Sequence, residues 1–231
     1  MNPNPKNNSY EIEGYLHCES IIDPKVLEDF RIKVETYFGL DWDKKAEIEH
    51  SDVCTFLPAV KELMENADLK NKAQQLLGSD KVSVWYDQLI IKPPEIGRMS
   101  RWHQDLPYWP LDKPSVITCW IPLHDVGVTG SCLRVMPGSH TWGNEPSIIP
   151  SSFKEMMKLG SESQQRLLVD EPKELVMRCG DCSFHHPLAF HGATANTSSS
   201  YRIAYKILYL RDDSKFTHDI FSRASDIQFR R

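Results

Sequence analysis

The sequence has no apolar run near the roughly 20 residues that a membrane-spanning helix needs. Its first nine residues are polar and rich in Asn and Pro, with none of the apolar stretch of a secretory leader. These absences set the expectation of a cytoplasmic protein with no membrane partner. Surplus positive charge is also missing: 27 Lys and Arg face 32 Asp and Glu, a net charge of −5. Such a surface does not draw in a phosphate backbone, so nucleic acid is not the expected partner. No segment repeats and none is of low complexity. The Gly-x-Ser-x-Gly elbow of serine hydrolases does not occur, and Pro137-Gly138-Ser139-His140 is no substitute for it. Cys179-Gly180-Asp181-Cys182 has the spacing of a redox or zinc pair, but no second pair matches it. All six cysteines are therefore read as free thiols, these two as ordinary strand-end residues.

What is present is core-forming material. Of 231 residues, 40% are hydrophobic, with six Trp and nine Phe, enough to bury one sizeable core in one domain. The first part, to about residue 80, reads as helical. Asp23-Pro24 looks like an N-cap with proline at the first helical position. Val26, Leu27, Phe30, Val34, Tyr37 and Phe38 then recur at helical spacing. Further helices are predicted over 59–65 and 69–77, the latter stopped by Gly78. From about residue 81 to 211 the pattern turns to short β-branched and aromatic runs broken by Pro, Gly and Asp. They lie at 82–92, 116–123, 133–136, 175–178, 182–185 and 202–210. Many short strands after helices predict a sandwich or barrel buttressed by helices. Residues 141–172 have little strand character, with helical potential over 152–168. They read equally as a substrate-facing insertion or as a solvated connector. The tail, 212–231, is charged and carries three phenylalanines.

Arg101-Trp102-His103-Gln104-Asp105 contains a His-x-Asp. In an extended chain residues i and i+2 share a face, so an imidazole and a carboxylate can meet one metal ion. Alone the pattern is common by chance. A second segment, ending Phe190-His191-Gly192, offers a third ligand, and Arg202 follows eleven residues later at the head of a strand. Two His and one carboxylate leave about three positions open on an iron, which oxygen chemistry needs. Arginine supplies a planar charged fork for a carboxylate.

These residues resemble the phytanoyl-CoA dioxygenase family of Fe(II)/2-oxoglutarate oxygenases. The resemblance runs from about 88 to 210, a little over half the chain, through several blocks in order. They are Leu89-Ile90-Ile91-Lys92-Pro93-Pro94, Trp102-His103-Gln104-Asp105-Leu106-Pro107-Tyr108, Cys119-Trp120-Ile121-Pro122-Leu123, Val135-Met136-Pro137-Gly138-Ser139-His140, and His191-Gly192 with Arg202. It implies a mainly β fold with flanking helices: a double-stranded β-helix, the jelly-roll or cupin-like barrel, on an N-terminal helical buttress. It also implies that His103, Asp105 and His191 ligate Fe(II). Arg202 would clamp the distal carboxylate of 2-oxoglutarate, with Gln88 and Trp120 lining the cosubstrate pocket. The implied reaction consumes 2-oxoglutarate and O2, releases succinate and CO2, and most often hydroxylates a small molecule. Desaturation, epimerisation or cyclisation by the same chemistry remain open, as does a barrel that binds metal without turnover. Halogenating relatives replace the carboxylate by a small residue, and Asp105 stands against that. The serine that often follows His-Gly in the family is Ala193 here, which removes one hydroxyl contact to the cosubstrate.

Tyr108, Trp109, Arg98 and His186 surround these motifs and are candidate substrate-pocket residues. The aromatics fit barrel packing as well. By alternation His185, rather than His186, shares a face with His191, although Pro187 interrupts the count. His140 reads as turn chemistry.

Overall fold

A computed structural model describes residues 5–40, 47–95, 97–144, 162–167 and 170–217. Most of the 141–172 insertion and the tail beyond residue 217 lie outside these residues, as do Phe221 and Phe229.

The helix α1 (Pro5–Glu13) leads into strand β1 (Tyr15–Cys18). In α2 (Pro24–Phe38), Asp23 accepts a hydrogen bond from the Lys25 N–H, and Gly39 closes the other end in the left-handed conformation. The periodic side chains Leu27, Phe30 and Val34 are buried. Strand β2 (Ile48–Ser51) follows, and then the region expected as helix 59–65 splits into a 3-10 turn, Pro58–Val60, and a short α3 (Lys61–Met64). Next comes α4 (Ala67–Leu77), capped by Asn66 and stopped by Gly78.

The strands are β3 (Val82–Lys92), β4 (Ser100–His103), β5 (Val116–Pro122), β6 (Leu133–Val135), β7 (Lys173–Leu175), β8 (Cys182–His185), β9 (His191–Ala193) and β10 (Arg202–Arg211). They form two antiparallel sheets, ordered β1-β8-β5-β10-β3-β2 and β4-β9-β6-β7.

This corrects the expectation of a double-stranded β-helix. Among the described residues no strand belongs to both sheets and neither ladder curls closed, so the architecture is a mixed α/β pair of open sheets rather than a barrel. The physical reason lies in strand length. Every strand of the smaller sheet has three or four residues, about 10–13 Å of chain. That is too short to wrap round and meet the edges of the larger sheet.

The larger sheet is covered on both faces, and alternation divides its residues between them. From β10, Ile203, Tyr205, Ile207 and Tyr209 face the core built with α2 and α4, together with Leu89 and Ile91 of β3 and Cys119 and Phe184 of β5 and β8. There Phe30 meets the Tyr205 ring edge-on, centroids 5.5 Å apart. The opposite face carries Ala204 and Trp120, which pack with Leu133, Val135 and Leu175 of the smaller sheet. Arg202 and Lys206 lie on this same inner face, as do Gln88, Thr118 and His185, so the space between the sheets is where chemistry-bearing groups collect.

All six cysteines are free thiols, and Cys182 is buried in β8. No helix among the described residues is long and apolar enough to cross a membrane.

Phe30→Ala removes an aromatic that is 3% exposed and docks α2 on the sheet. Urea unfolding should show a loss of about 3–5 kcal/mol, the usual cost of such a truncation. A loss below about 1 kcal/mol would mean that α2 does not anchor to this core.

Candidate metal centre

His103 is the last residue of β4 and sits directly opposite His191, the first residue of β9. Their ring centroids are 4.2 Å apart. Each Nδ1 faces a backbone carbonyl: Arg101 O at 2.8 Å for His103 and Ala189 O at 3.0 Å for His191. A carbonyl only accepts, so each Nδ1 carries the proton and each Nε2 presents a lone pair. Asp105 Oδ1 lies 3.8 Å from the His103 Nε2 and 3.6 Å from the His191 Nε2. Among the described residues these three form the one set whose ligand atoms all lie within 4.8 Å of one another.

Simple strand alternation does not bring Asp105 here. Strand β4 ends at His103, and Asp105 has right-handed helical backbone, φ −77° and ψ −40°, at the start of a 3-10 turn over Leu106–Tyr108. The turn is anchored by the Asp105 and Leu106 N–H groups, which both donate to Pro187 O, at 2.9 and 3.0 Å. Gln104, buried between the two ligands, donates to Gly143 O at 2.8 Å and Leu188 O at 2.7 Å. The middle residue of the motif thus ties the turn to its neighbours while the flanking residues face the site.

Burial works against charge on every group here, and the neighbours decide the outcome. It lowers the His103 and His191 pKa values, and for His191 the adjacent His103 and His185 lower it further, so both rings stay neutral. On Asp105, burial would raise the pKa. His191, His185 at 3.5 Å and the Lys206 ammonium outweigh it and hold the carboxyl well below its usual range. Thr118 donates to Asp105 Oδ2 at 2.9 Å, which leaves Oδ1 turned toward the two imidazoles. Two neutral imidazoles and one carboxylate with free lone pairs fit a divalent transition cation.

The triad opens on a cavity of about 320 Å³ whose lining includes His103, His191, Gln88, Trp120, Arg98 and Arg202. Arg202 is 3% exposed. Its Nη1 donates only a long 3.4 Å bond to Ile90 O, its Nε has no partner, and its charge lies 5.8 Å from the Trp120 ring centroid. Burial lowers its pKa to about 10, a cation still charged at neutral pH. A buried guanidinium without a carboxylate within ion-pair distance among the described residues is a receptor for one. Lys92, fully buried behind it, donates to Ser131 Oγ at 3.2 Å, and burial lowers its pKa to about 8.

Other candidates from the sequence fall elsewhere. His186 stands outside the cavity lining: its ring neighbours are His140 and Tyr10, and its Nδ1 accepts from the Leu188 N–H at 3.1 Å. Trp109 packs edge-on against Trp85, 5.8 Å between centroids, in a separate cluster. Tyr108 is 40% exposed with its ring 6.4 Å from His103, beside the site rather than in the lining. His140 anchors its turn by donating to Glu11 O at 3.0 Å.

The structure adds residues that the motifs did not single out. His185 is fully buried, lines the cavity and lies 3.5 Å from Asp105 Oδ2. Thr118 and Lys206 were legible in principle, because they are one alternation from Trp120 and two from Arg202 in their strands.

Gly192 shows why a glycine follows His191. A Cβ there would lie 2.7 Å from Ser100 O and 3.2 Å from Arg101 O, inside the β4–β9 contact. Gly192→Ala should force these strands apart and sharply reduce metal content while the α2 core survives. Normal iron binding by this variant would show that the triad tolerates separation of the strands.

Comparison with known proteins follows the same lines. The family model for phytanoyl-CoA dioxygenase (PhyH) matches residues 10–204. The peroxisomal phytanoyl-CoA dioxygenase of Rattus norvegicus is 24% identical over 230 residues, covering 90% of this chain and 68% of the relative. Among solved structures, the non-heme α-ketoglutarate-dependent carbocyclase SnoK from nogalamycin biosynthesis superposes with a TM-score of 0.78. Its identity is 22%, over 94% of this chain and 87% of its own. The epimerase SnoN in complex with Fe3+, α-ketoglutarate and nogalamycin RO also gives 0.78, at 18% identity, over 97% and 89%. The peroxisomal relatives overturn the cytoplasmic expectation. That expectation rested on the lack of an apolar leader, whereas peroxisomal delivery is read from short receptor-recognised addresses that leave no such mark.

Proposed function

Because the chain belongs to the phytanoyl-CoA dioxygenase family, we propose that it oxidises a small molecule at an iron(II) held by His103, Asp105 and His191, with Arg202 gripping the distal carboxylate of 2-oxoglutarate. The protein is an enzyme dependent on Fe(II) and 2-oxoglutarate. The observation that carries the residue roles is the pairing, around one cavity, of a three-ligand donor set with a buried cation that lacks a carboxylate.

Each side chain has a defined task. The two Nε2 atoms and Asp105 Oδ1 would hold the metal, a set of three ligands that would leave it room for cosubstrate and dioxygen. Thr118 fixes which carboxylate oxygen is offered. Arg202 orients 2-oxoglutarate by a charge-assisted fork, with Gln88 and Trp120 flanking it. Ile90, Leu133 and Ala193 complete an apolar wall that limits water. When bound, the metal and 2-oxoglutarate supply the activation of dioxygen, releasing succinate and CO2 and providing the power to remove hydrogen from a substrate.

The product class depends on where the substrate's carbons lie. Hydroxylation is the outcome expected from the sequence resemblance. The likeness to a carbocyclase and an epimerase supports the wider reading, that ring closure or epimerisation is equally within reach of this site. Product masses separate the three: gain of one oxygen, loss of two hydrogens, or no change, each with stoichiometric succinate. Iron-loaded protein that releases no succinate with any of a broad set of small molecules would argue for a metal-binding module instead.

Arg202→Ala should raise the KM for 2-oxoglutarate about thirtyfold or more, the effect of about 2 kcal/mol for truncating one partner of a charge-assisted contact, with iron content unchanged. Unaltered cosubstrate affinity would pass the role to Lys92 or Arg98. Asp105→Asn keeps the size and the Thr118 contact but loses the anionic ligand, so iron affinity and turnover should both collapse. Near-normal turnover with full iron content would remove Asp105 from the ligand set.

A further inference from the structure

We propose that Lys206 forms a second anion site in the cavity and that the enzyme's substrate carries a carboxylate which this lysine holds beside the metal. The inference rests on the residue roles given above and goes on to name the substrate's charge.

Lys206 lies on β10 four residues after Arg202, on the same inner face of the sheet, and lines the cavity. Its cross-strand neighbours are Gln88 on β3 and Trp120 on β5. Four residues of strand separate the two backbones by about 13 Å, so Lys206 and Arg202 stand at opposite ends of the cavity floor. Their electrostatic surroundings differ accordingly. Arg202 feels Glu47 and Glu49, whereas Lys206 acts on His103 and Asp105. Glu47 and Glu49 also face Lys92, so the acids in the lining belong to the Arg202 end.

That division leaves Lys206 in no ion pair, although its charge reaches Asp105 and His103. Among the described residues no carboxylate lies within ion-pair distance of its ammonium and no acceptor takes its protons. Asp105 is near enough to feel it, but its Oδ2 accepts from Thr118 and its Oδ1 is turned to the two ligand imidazoles. An ammonium that lines a cavity and stands in no ion pair can take an incoming anion. 2-Oxoglutarate is not that anion, because one of its carboxylates goes to Arg202 and the other to the metal. The remaining complement is a monoanion on the substrate. Arg98, exposed at the same cavity, adds attraction on the way in. Ile90, Met99 and Leu133 offer apolar surface to the rest of the molecule. The fitting ligand is thus a small carboxylic acid with an apolar body, its charge fixed near the iron and its C–H bonds presented to it.

The test uses anaerobic protein loaded with Fe(II) and saturating 2-oxoglutarate. Straight-chain and aromatic carboxylic acids are titrated beside their primary amides by calorimetry, in wild type, Lys206→Met and Lys206→Arg. Some of the acids should bind wild type about tenfold more tightly than their amides. Lys206→Met should abolish that preference and Lys206→Arg should keep it, with 2-oxoglutarate affinity unchanged in both and all three proteins compared at the same iron content. Equal binding of acids and amides by wild type, or a preference that survives in Lys206→Met, overturns the proposal. A tenfold loss of 2-oxoglutarate affinity in Lys206→Met also overturns it, by assigning the lysine to the cosubstrate. Wild type that takes up no iron or no 2-oxoglutarate fails at an earlier step and overturns the site assignment itself.

Discussion

The carboxylate of Asp105 is the constraint on which the site turns. It is buried, and an ionised carboxylate out of water is costly unless its charge is answered on every side. The protein answers it with the Thr118 hydroxyl, the nearby His185 and the Lys206 ammonium, drawn from β5, β8 and β10, while β4 and β9 bring the two ligand imidazoles to the other carboxylate oxygen. Both sheets must therefore be in register before the charge can be kept. Without a metal, these polar groups crowd one small space with no shared partner. A divalent cation resolves that crowding, so metal binding should add directly to folding free energy.

The larger sheet makes this affordable by dividing its labour. One face of β10 packs Ile203, Tyr205 and Ile207 into the helical core, and the other presents Arg202, Ala204 and Lys206 to the cavity. Polar groups that would be intolerable in the core are confined to the inner face, where cavity and ligands can satisfy them. Asp87 is the exception on the helical side, and it is paired: Tyr205 donates to it at 2.9 Å, and burial raises its pKa. Arg202, whose Nε has no partner, faces the cavity instead.

Much of this was legible in the chain. His103, Asp105, His191 and Arg202 carry type and spacing that alternation and charge can interpret, and α2 announced itself by Asp23, Pro24 and a helical stripe. The strands that bear the ligands were harder to see. With three or four residues each, β4 and β9 are too short to show a period. The proximity of Asp105 to His103 was expected from extended chain and is instead produced by a turn held by Pro187, a contact distant in sequence. The closed barrel failed for a related reason: composition suggests many short strands, but closure depends on how long each is and which edges meet. Alternation put His185 on the face of His191, but Pro187 between them interrupted the count, and its neighbour His186 packs with Tyr10 and His140 instead.

The donor set fixes what kind of reaction is possible, and it does so with residues that say nothing of the substrate. Structures similar to this one include a carbocyclase and an epimerase, so one fold serves different ends. What differs among such enzymes must lie in how a substrate carbon is placed relative to a fixed metal, which is a matter of a few side chains on the cavity floor. In this protein the floor is set by β10 and β3, whose paired residues run from Arg202 and Lys92 at one end to Lys206 and Gln88 at the other. A strand holds such positions rigidly, and a shift of one residue would turn every one of them into the helical core. Arg202 and Lys206, the two cations that β10 turns toward the cavity, thus stand at opposite ends of one rigid floor.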